Sequence, residues 1–182
     1  MTDVTFVSTN PGKAREVRAL LAPYGVRTHW RRRTLPEPQA ETLEEVVVAK
    51  LAAVDDVPGI VVVEDSGLFI PSLHGFPGVY SAHFLASWRF GPVLELLRHR
   101  DRRAFFRTVA GVRRGRRRTF YRGEVWGSIA RGPAGRNGFG YDPIFVPTGW
   151  RRTLAEVSPE EKNAVSHRAR AFEKVGRALS RS

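Results

Sequence analysis

The rhythm of apolar and polar positions changes repeatedly along the chain, and each change marks an element. Val4-Thr5-Phe6-Val7 is a short β-type run that stops at Ser8-Thr9-Asn10-Pro11-Gly12-Lys13. Asn is a favoured N-cap and Pro suits the first helical position, so a helix is predicted to start there. Ala14, Val17, Leu20 and Leu21 recur at helical spacing and form its predicted buried face, with Gly25 as its stop. Residues 27–30 read as a second strand and 31–39 as a loop. Thr42-Leu43-Glu44-Glu45 has the capping-box pattern and opens a helix predicted to reach about Val54. Ile60-Val61-Val62-Val63 is a continuous β-branched run, the pattern of a strand buried on both faces. It is predicted to end at Glu64-Asp65, with Leu68-Phe69-Ile70 starting a second short strand.

Farther on, Gly75 to Gly78 reads as a turn and Pro92 to His99 as a short helix. Residues 103–112 and 119–128 are predicted strands joined by a basic turn at 113–118. Residues 144–146 form another short strand. Ser158-Pro159-Glu160-Glu161 caps a last helix running to about Leu179, with a predicted interruption at Ser166. No internal repeat or low-complexity linker breaks the chain, and no domain boundary stands out. Strands and helices mixed in this order predict an α/β fold with a mixed sheet.

Composition narrows the function classes. At 182 residues with 42% hydrophobic content, the chain can bury a core. No apolar run reaches the ~18 residues of a membrane span. Met1 leads through Thr2 and Asp3 straight into a strand pattern rather than a basic, apolar leader, so a cytoplasmic protein is expected. The chain has no cysteine, which excludes disulfides, thiolate metal sites and a cysteine nucleophile. A metal would be held by oxygen or imidazole, and oxygen ligands favour Mg²⁺, with Mn²⁺ as the alternative. The net charge is +12, and residues 98–118 carry ten Arg against one Asp. That run suits a nucleic-acid surface, a solvated Arg-rich hairpin, or long-range attraction of a polyanionic small substrate. Nothing in it resembles a helix-turn-helix or a zinc finger, and aromatics of the stacking kind are not interleaved with it, so nucleic acid is the less favoured partner.

Three stretches carry chemistry. At Ser8 to Lys13 a strand feeds a helix N-terminus through small residues, offering backbone N–H groups and the positive end of the helix dipole. Ser8, Thr9 and Asn10 add side-chain donors and Lys13 a mobile cation, which suits a polyphosphate. The P-loop pattern is absent. At Glu64-Asp65-Ser66-Gly67 two carboxylates follow the β-branched strand, where ligands gather in open α/β sheets. Alternation sends them to opposite sides, so one is expected to face a cleft. At Gly138-Phe139-Gly140-Tyr141-Asp142, Phe139 offers a stacking face and Asp142 an acceptor. Lys162, His167 and Arg168 follow on the capped helix. Each stretch alone is also compatible with a purely structural role.

Order and wording together are more specific. The chain resembles the inosine triphosphate pyrophosphatase, or Ham1-like, family. The matching blocks are Ser8 to Lys13; Leu35-Pro36-Glu37; Thr42 to Glu45 with Lys50; Val63 to Leu68; Gly75 to Ser81; Gly138 to Phe145; and Ser158 to Arg168. They span essentially the whole chain, and the last two are the most specific. The resemblance implies a single domain, residues 1–182, of two α/β lobes with a long mixed sheet flanked by helices and a central substrate cleft. It implies a homodimer and Mg²⁺-dependent hydrolysis of ITP, dITP and XTP to the monophosphate and pyrophosphate. Position by position, Ser8, Thr9, Asn10 and Lys13 would hold the phosphates. Glu37 and Asp65 would hold the metal, with Asp65 also the proton acceptor and Lys13 also catalytic. Lys50, Ser66 and Lys162 would contact substrate, and Phe139, Gly140, Tyr141, Asp142, His167 and Arg168 would form the base pocket. One departure falls in the first block, where the family usually has Thr-Gly-Asn and this chain has Ser8-Thr9-Asn10. A glycine there would allow close phosphate approach or a positive φ, and Thr9 restricts both. The alternatives are a Maf-like pyrophosphatase acting on other nucleoside triphosphates, and a nucleic-acid-binding protein using the 98–118 region.

Overall fold

A computed structural model describes residues 2–180. Seven strands form a mixed sheet: β1 (Thr2–Val7), β2 (Val26–Arg31), β3 (Ile60–Phe69), β4 (Pro77–Gly78), β5 (Arg103–Arg114), β6 (Arg117–Ile129) and β7 (Phe145–Pro147). Six α-helices accompany them: α1 (Pro11–Leu21), α2 (Leu43–Ala52), α3 (Ser81–Trp88), α4 (Gly91–Leu96), α5 (Pro159–Val165) and α6 (His167–Ser180). The hydrogen-bonded order is β2-β1-β3-β5-β6-β7, with β4 pairing β3. β1 runs parallel to β2 and β3, whereas β4 is antiparallel to β3 and β7 to β6. The α/β class and the mixed sheet read from the sequence are those of the structure.

The chain divides into two compact units. The first takes in residues up to Asp65, Thr108–Gly123 and residues from His167 onward. Its core gathers Val4 and Phe6 from β1, Val17 and Leu21 from α1, Val62 from β3 and Phe172 and Val175 from α6. Phe6 and Phe172 meet edge to face, ring centroids 6.2 Å apart. The first turn of α6 lies directly on β6 at Gly123. A Cβ there would fall 2.2 Å from the His167 carbonyl oxygen and 2.3 Å from the Ala171 nitrogen, so any larger residue would push α6 off the sheet. The second unit is Ser66–Arg107 with Glu124–Ser166. Leu68, Ile70, Val93, Leu97, Phe106, Ile144 and Phe145 centre its core.

Four local predictions differ from what the chain does. β3 is one strand of ten residues, not two pieces, so Glu64 to Gly67 lie inside it rather than at its end. Ion pairs to Glu64 and Asp65 let their carboxylates occupy a buried strand. α3 was not legible, because Ser81 to Trp88 lacks both an N-cap side chain and a continuous polar face. The link between β5 and β6 is shorter than predicted. The strands run to Arg114 and from Arg117, and Gly115 at φ 58° closes a two-residue turn, so most of the basic residues stand on strands. Thr9 needs no unusual backbone, for His74 and Arg89 are the non-glycine residues with positive φ among those described. The break at Ser166 is present, with extended backbone at ψ 158° between α5 and α6.

Candidate active site

In the first unit the cradle is built by local capping. Asn10 Oδ1 accepts from the Lys13 amide at 3.1 Å, and Pro11 opens the helix. Ser8 Oγ accepts from the Asn10 amide at 3.1 Å, and Trp30 Nε1 donates to the Ser8 carbonyl at 2.8 Å. These bonds fix the turn between β1 and α1, and the dipole of α1 makes its start attractive to anions. Lys13 leaves the first turn of α1 and places Nζ 2.5 Å from Glu64 Oε1.

Adjacent carboxylates on β3 then go separate ways, as strand alternation requires. Glu64, whose side chain is 1% exposed, meets Lys13 and also Arg168 Nη2 at 3.4 Å. Arg168 is itself 1% exposed and donates through Nη1 to Glu16 at 2.6 Å. A chain of alternating charge therefore runs Lys13–Glu64–Arg168–Glu16. It ties Lys13, in the first turn of α1, to the first turn of α6. His167, one residue earlier, is buried beside Gly123.

Asp65 faces a different cation. Lys50, in the last turn of α2, is buried and donates to Asp65 Oδ1 at 2.7 Å. The same ammonium lies 3.4 Å from Oε1 of Glu37, which comes from the loop before α2. Burial pushes the Asp65 carboxyl above its usual range, with Glu64 adding to it, and the positive charges of Lys50 and Lys13 only partly offset this. Burial also opposes the charge on Lys50. The negative charge of Asp65, the hydrogen bond to it, and Glu37 and Glu64 outweigh that, so Lys50 is held protonated more firmly than an ordinary lysine. Both carboxylates expected to serve a metal thus converge on one cationic point. In this cluster the three cations Lys13, Lys50 and Arg168 face the four carboxylates Glu16, Glu37, Glu64 and Asp65.

The second unit holds the remaining predicted residues. Asp142, 2% exposed, clamps its own loop by accepting from the Phe139 amide at 2.8 Å through Oδ2. The same oxygen accepts from Lys162 Nζ at 2.5 Å. Lys162 comes from α5, where Ser158 and Glu161 form a reciprocal capping box. Its ammonium sits 4.5 Å from the centre of the Phe139 ring, a cation–π contact that holds the ring in place. Gly138 adopts φ 72°, and a Cβ there would lie 2.2 Å from Asp142 Oδ2. Tyr141 points away from this group into the core. Its hydroxyl donates to the Ser81 carbonyl at 3.1 Å, and burial pushes its pKa up. Ser66 follows Asp65 on β3 and is partly buried.

The first unit therefore brings together Lys13, Glu37, Lys50, Asp65 and Arg168, with His167 next in the chain. The second brings together Phe139, Asp142 and Lys162, with Gly140 in the same loop. Sequence reasoning singled out Glu64 without giving it a partner and passed over Glu16. The signal for Glu16 was present, since it stands three residues after Lys13 and so on a neighbouring strip of α1. Its partner Arg168 is distant in sequence and could not be read from spacing.

Residues 4–178 match the Ham1 family. A dITP/XTP pyrophosphatase of Pyrococcus horikoshii is 43% identical over 171 residues, covering 93% of this chain and 92% of that protein. One from Thermococcus kodakarensis is 45% identical over 172 residues, with the same shares covered. Among solved structures, a HAM1 protein from Coxiella burnetii superposes with a TM-score of 0.85 at 31% identity, covering the whole of both chains. A nucleoside-triphosphatase, or dITP/XTP pyrophosphatase, from Mycobacterium abscessus gives a TM-score of 0.71 at 34% identity, covering 96% of this chain and 98% of that one. The strand–cap–helix cradle, the paired carboxylates and lysine, and the glycine-hinged aromatic loop thus stand in a chain that belongs to the Ham1 family.

Proposed function

We propose that this protein is a Mg²⁺-dependent nucleoside-triphosphate pyrophosphatase that clears deaminated purine nucleotides from the cytoplasmic pool. It hydrolyses ITP, dITP and XTP to the monophosphate and pyrophosphate, and acts as a homodimer. The observation that carries this reading is the convergence of Glu37 and Asp65 on the single ammonium of Lys50, in the unit that also holds the helix-start cradle and Lys13. The names of the relatives supply the purine class.

The residues fit a hard divalent cation. Glu37 and Asp65 offer oxygen only, and they already share one cation position. Mg²⁺ is commonly bound by one or two carboxylates together with substrate phosphates, so a larger cage is not required. Bound there, Mg²⁺ would neutralise phosphate charge and lower the pKa of a coordinated water.

The protein groups do the rest. Lys13, the start of α1 and the Ser8 and Asn10 side chains hold the phosphates and stabilise the departing pyrophosphate. Asp65 accepts the proton of the water that attacks the α-phosphorus. Lys50 binds Oδ1 and so orients the carboxylate. Phe139 stacks on the base, held by Lys162 and Asp142. Arg168 donates to the C6 carbonyl of inosine or xanthine. Adenine has an amino group there, and an unmatched donor in a dry pocket can cost roughly 10⁴-fold in kcat/KM.

The test is pyrophosphate release from ITP, XTP, dITP, GTP, ATP and dTTP, with and without Mg²⁺. Turnover of ITP and XTP that needs Mg²⁺ and leaves ATP nearly untouched supports the reading. Preferential turnover of dTTP or UTP would replace it with a Maf-like activity.

A further inference from the structure

The arginine-rich run between residues 98 and 118 has no part in the reaction above, and the structure sorts its ten arginines. Arg98, Arg103 and Arg107 pair with Glu95, Asp101 and Glu124. Arg100 and Arg102 donate to main-chain carbonyls. Arg113 donates to the Val57 carbonyl, and Arg118 grips both carboxylate oxygens of Asp55 at 3.0 and 2.9 Å. Those last two bonds fasten the tip of the β5–β6 hairpin to the segment that leads into β3. Arg33 binds Asp56 in the same segment at 2.7 and 2.9 Å. Both acidic residues of the segment are thereby used. Arg114, Arg116 and Arg117 remain, exposed around Gly115, with no ion pair or side-chain hydrogen bond among the described residues.

We infer that the tip of the β5–β6 hairpin is a binding element for the phosphate backbone of duplex DNA, carried by Arg114, Arg116 and Arg117. A two-stranded ribbon fits the major groove, which is about 12 Å wide. The arginine fork matches phosphate oxygens two at a time. The anchors at Arg113 and Arg118 hold the ribbon rigid, so little side-chain and loop order is lost on binding. An anionic membrane is the poorer fit. No apolar side chain stands between Arg113 and Thr119 to enter the acyl layer, and charge alone gives weak, reversible attachment. The contacts go to phosphates, so binding is independent of base sequence.

The experiment is fluorescence anisotropy of a short labelled DNA duplex across a salt series, with wild-type protein and the triple variant R114S/R116S/R117S. Three phosphate contacts give a slope of about −2.7 in log K against log salt. Between about 50 and 200 mM salt they account for a roughly 40-fold loss of affinity. The triple variant is expected to lose that part of the slope and to keep the wild-type circular dichroism, melting and nucleotide turnover. Should the triple variant fail to fold, R116S, which changes one residue of the turn, is expected to lower the slope by about 0.9. Equal slopes for variant and wild type would overturn the inference. So would polyglutamate or phosphatidylserine vesicles that bind the wild type as tightly as DNA does.

Discussion

Lys50 Nζ and Asp65 Oδ1 lie 2.7 Å apart, both groups nearly removed from water, and the two residues come from a helix end and a strand interior. Removing either partner leaves a buried charge without its counterpart. Such a change costs about 3–5 kcal/mol, whereas an isosteric amide keeps the hydrogen bond. Asp65→Asn is therefore expected to fold and to lose kcat with ITP by roughly 10²- to 10⁴-fold, the usual worth of a positioned base. A variant that kept near-full kcat with Mg²⁺ would remove Asp65 from the role of base.

The same pair governs how Asp65 titrates. Burial raises the Asp65 carboxyl, so in the metal-free protein it should titrate above the range of an ordinary aspartate. The charge of Lys50 pulls in the other direction, lowering Asp65. Lys50→Met should therefore move that titration to still higher pH, and carboxyl NMR of the two metal-free proteins reads the shift directly. Movement to lower pH would contradict this electrostatic account.

Arg168 is both a structural and a recognition residue in this reading. Its loss removes one ion pair from Glu16 and one from Glu64, which keeps Lys13. Arg168→Ala should lower stability to urea by about 3–5 kcal/mol. It should also shrink the preference for ITP over ATP. Unchanged discrimination in a folded variant would strip Arg168 of its part in base recognition.

Gly138 should tolerate no side chain. Alanine would need a positive φ and would place its Cβ 2.2 Å from the oxygen of Asp142 that holds both Lys162 and the Phe139 amide. Gly138→Ala should destabilise the protein by about 1–3 kcal/mol. It should raise KM more than it lowers kcat, since the loop is proposed to bind the base rather than to move protons. A kinetic split in the opposite sense would place the loop in the chemical step.

Tyr141 gives an alkaline signature. Its hydroxyl is buried against the Ser81 carbonyl, and its folded pKa lies above the unfolded value. In the interval between the two, the unfolded chain has released the proton that the folded chain still holds. Stability therefore falls as pH rises above about 10. Tyr141→Phe should cost about 1 kcal/mol at neutral pH and lose stability less steeply above that point, as followed by urea unfolding. Parallel pH dependence of the two proteins would show that Tyr141 does not cause the alkaline loss.

Features that depend on neighbours along the chain were legible in the order of the amino acids. Asn10, Thr42 and Ser158 cap their helices because the interactions span three residues. Ser166 breaks the last helix where it was expected to. Alternation along β3 was enough to send Glu64 and Asp65 to different partners. The wording of the Gly138–Phe145 and Ser158–Arg168 blocks named the family.

Features that depend on residues remote in sequence emerged only on folding. Composition put ten arginines into one basic stretch, and only folding separated seven that are engaged from three that stand exposed at a turn. A carboxylate in a β-branched run reads as a strand end until Lys13, Lys50 and Arg168 arrive from α1, α2 and α6 to offset its burial. Tyr141 lies in a loop with a functional pattern, but its ring entered the core because Ser81, sixty positions earlier, offered a carbonyl to its hydroxyl. Periodicity and caps are local energies of about 1 kcal/mol each. Placing a buried charge is a larger, long-range matter, settled by whichever opposite charge the fold brings within reach.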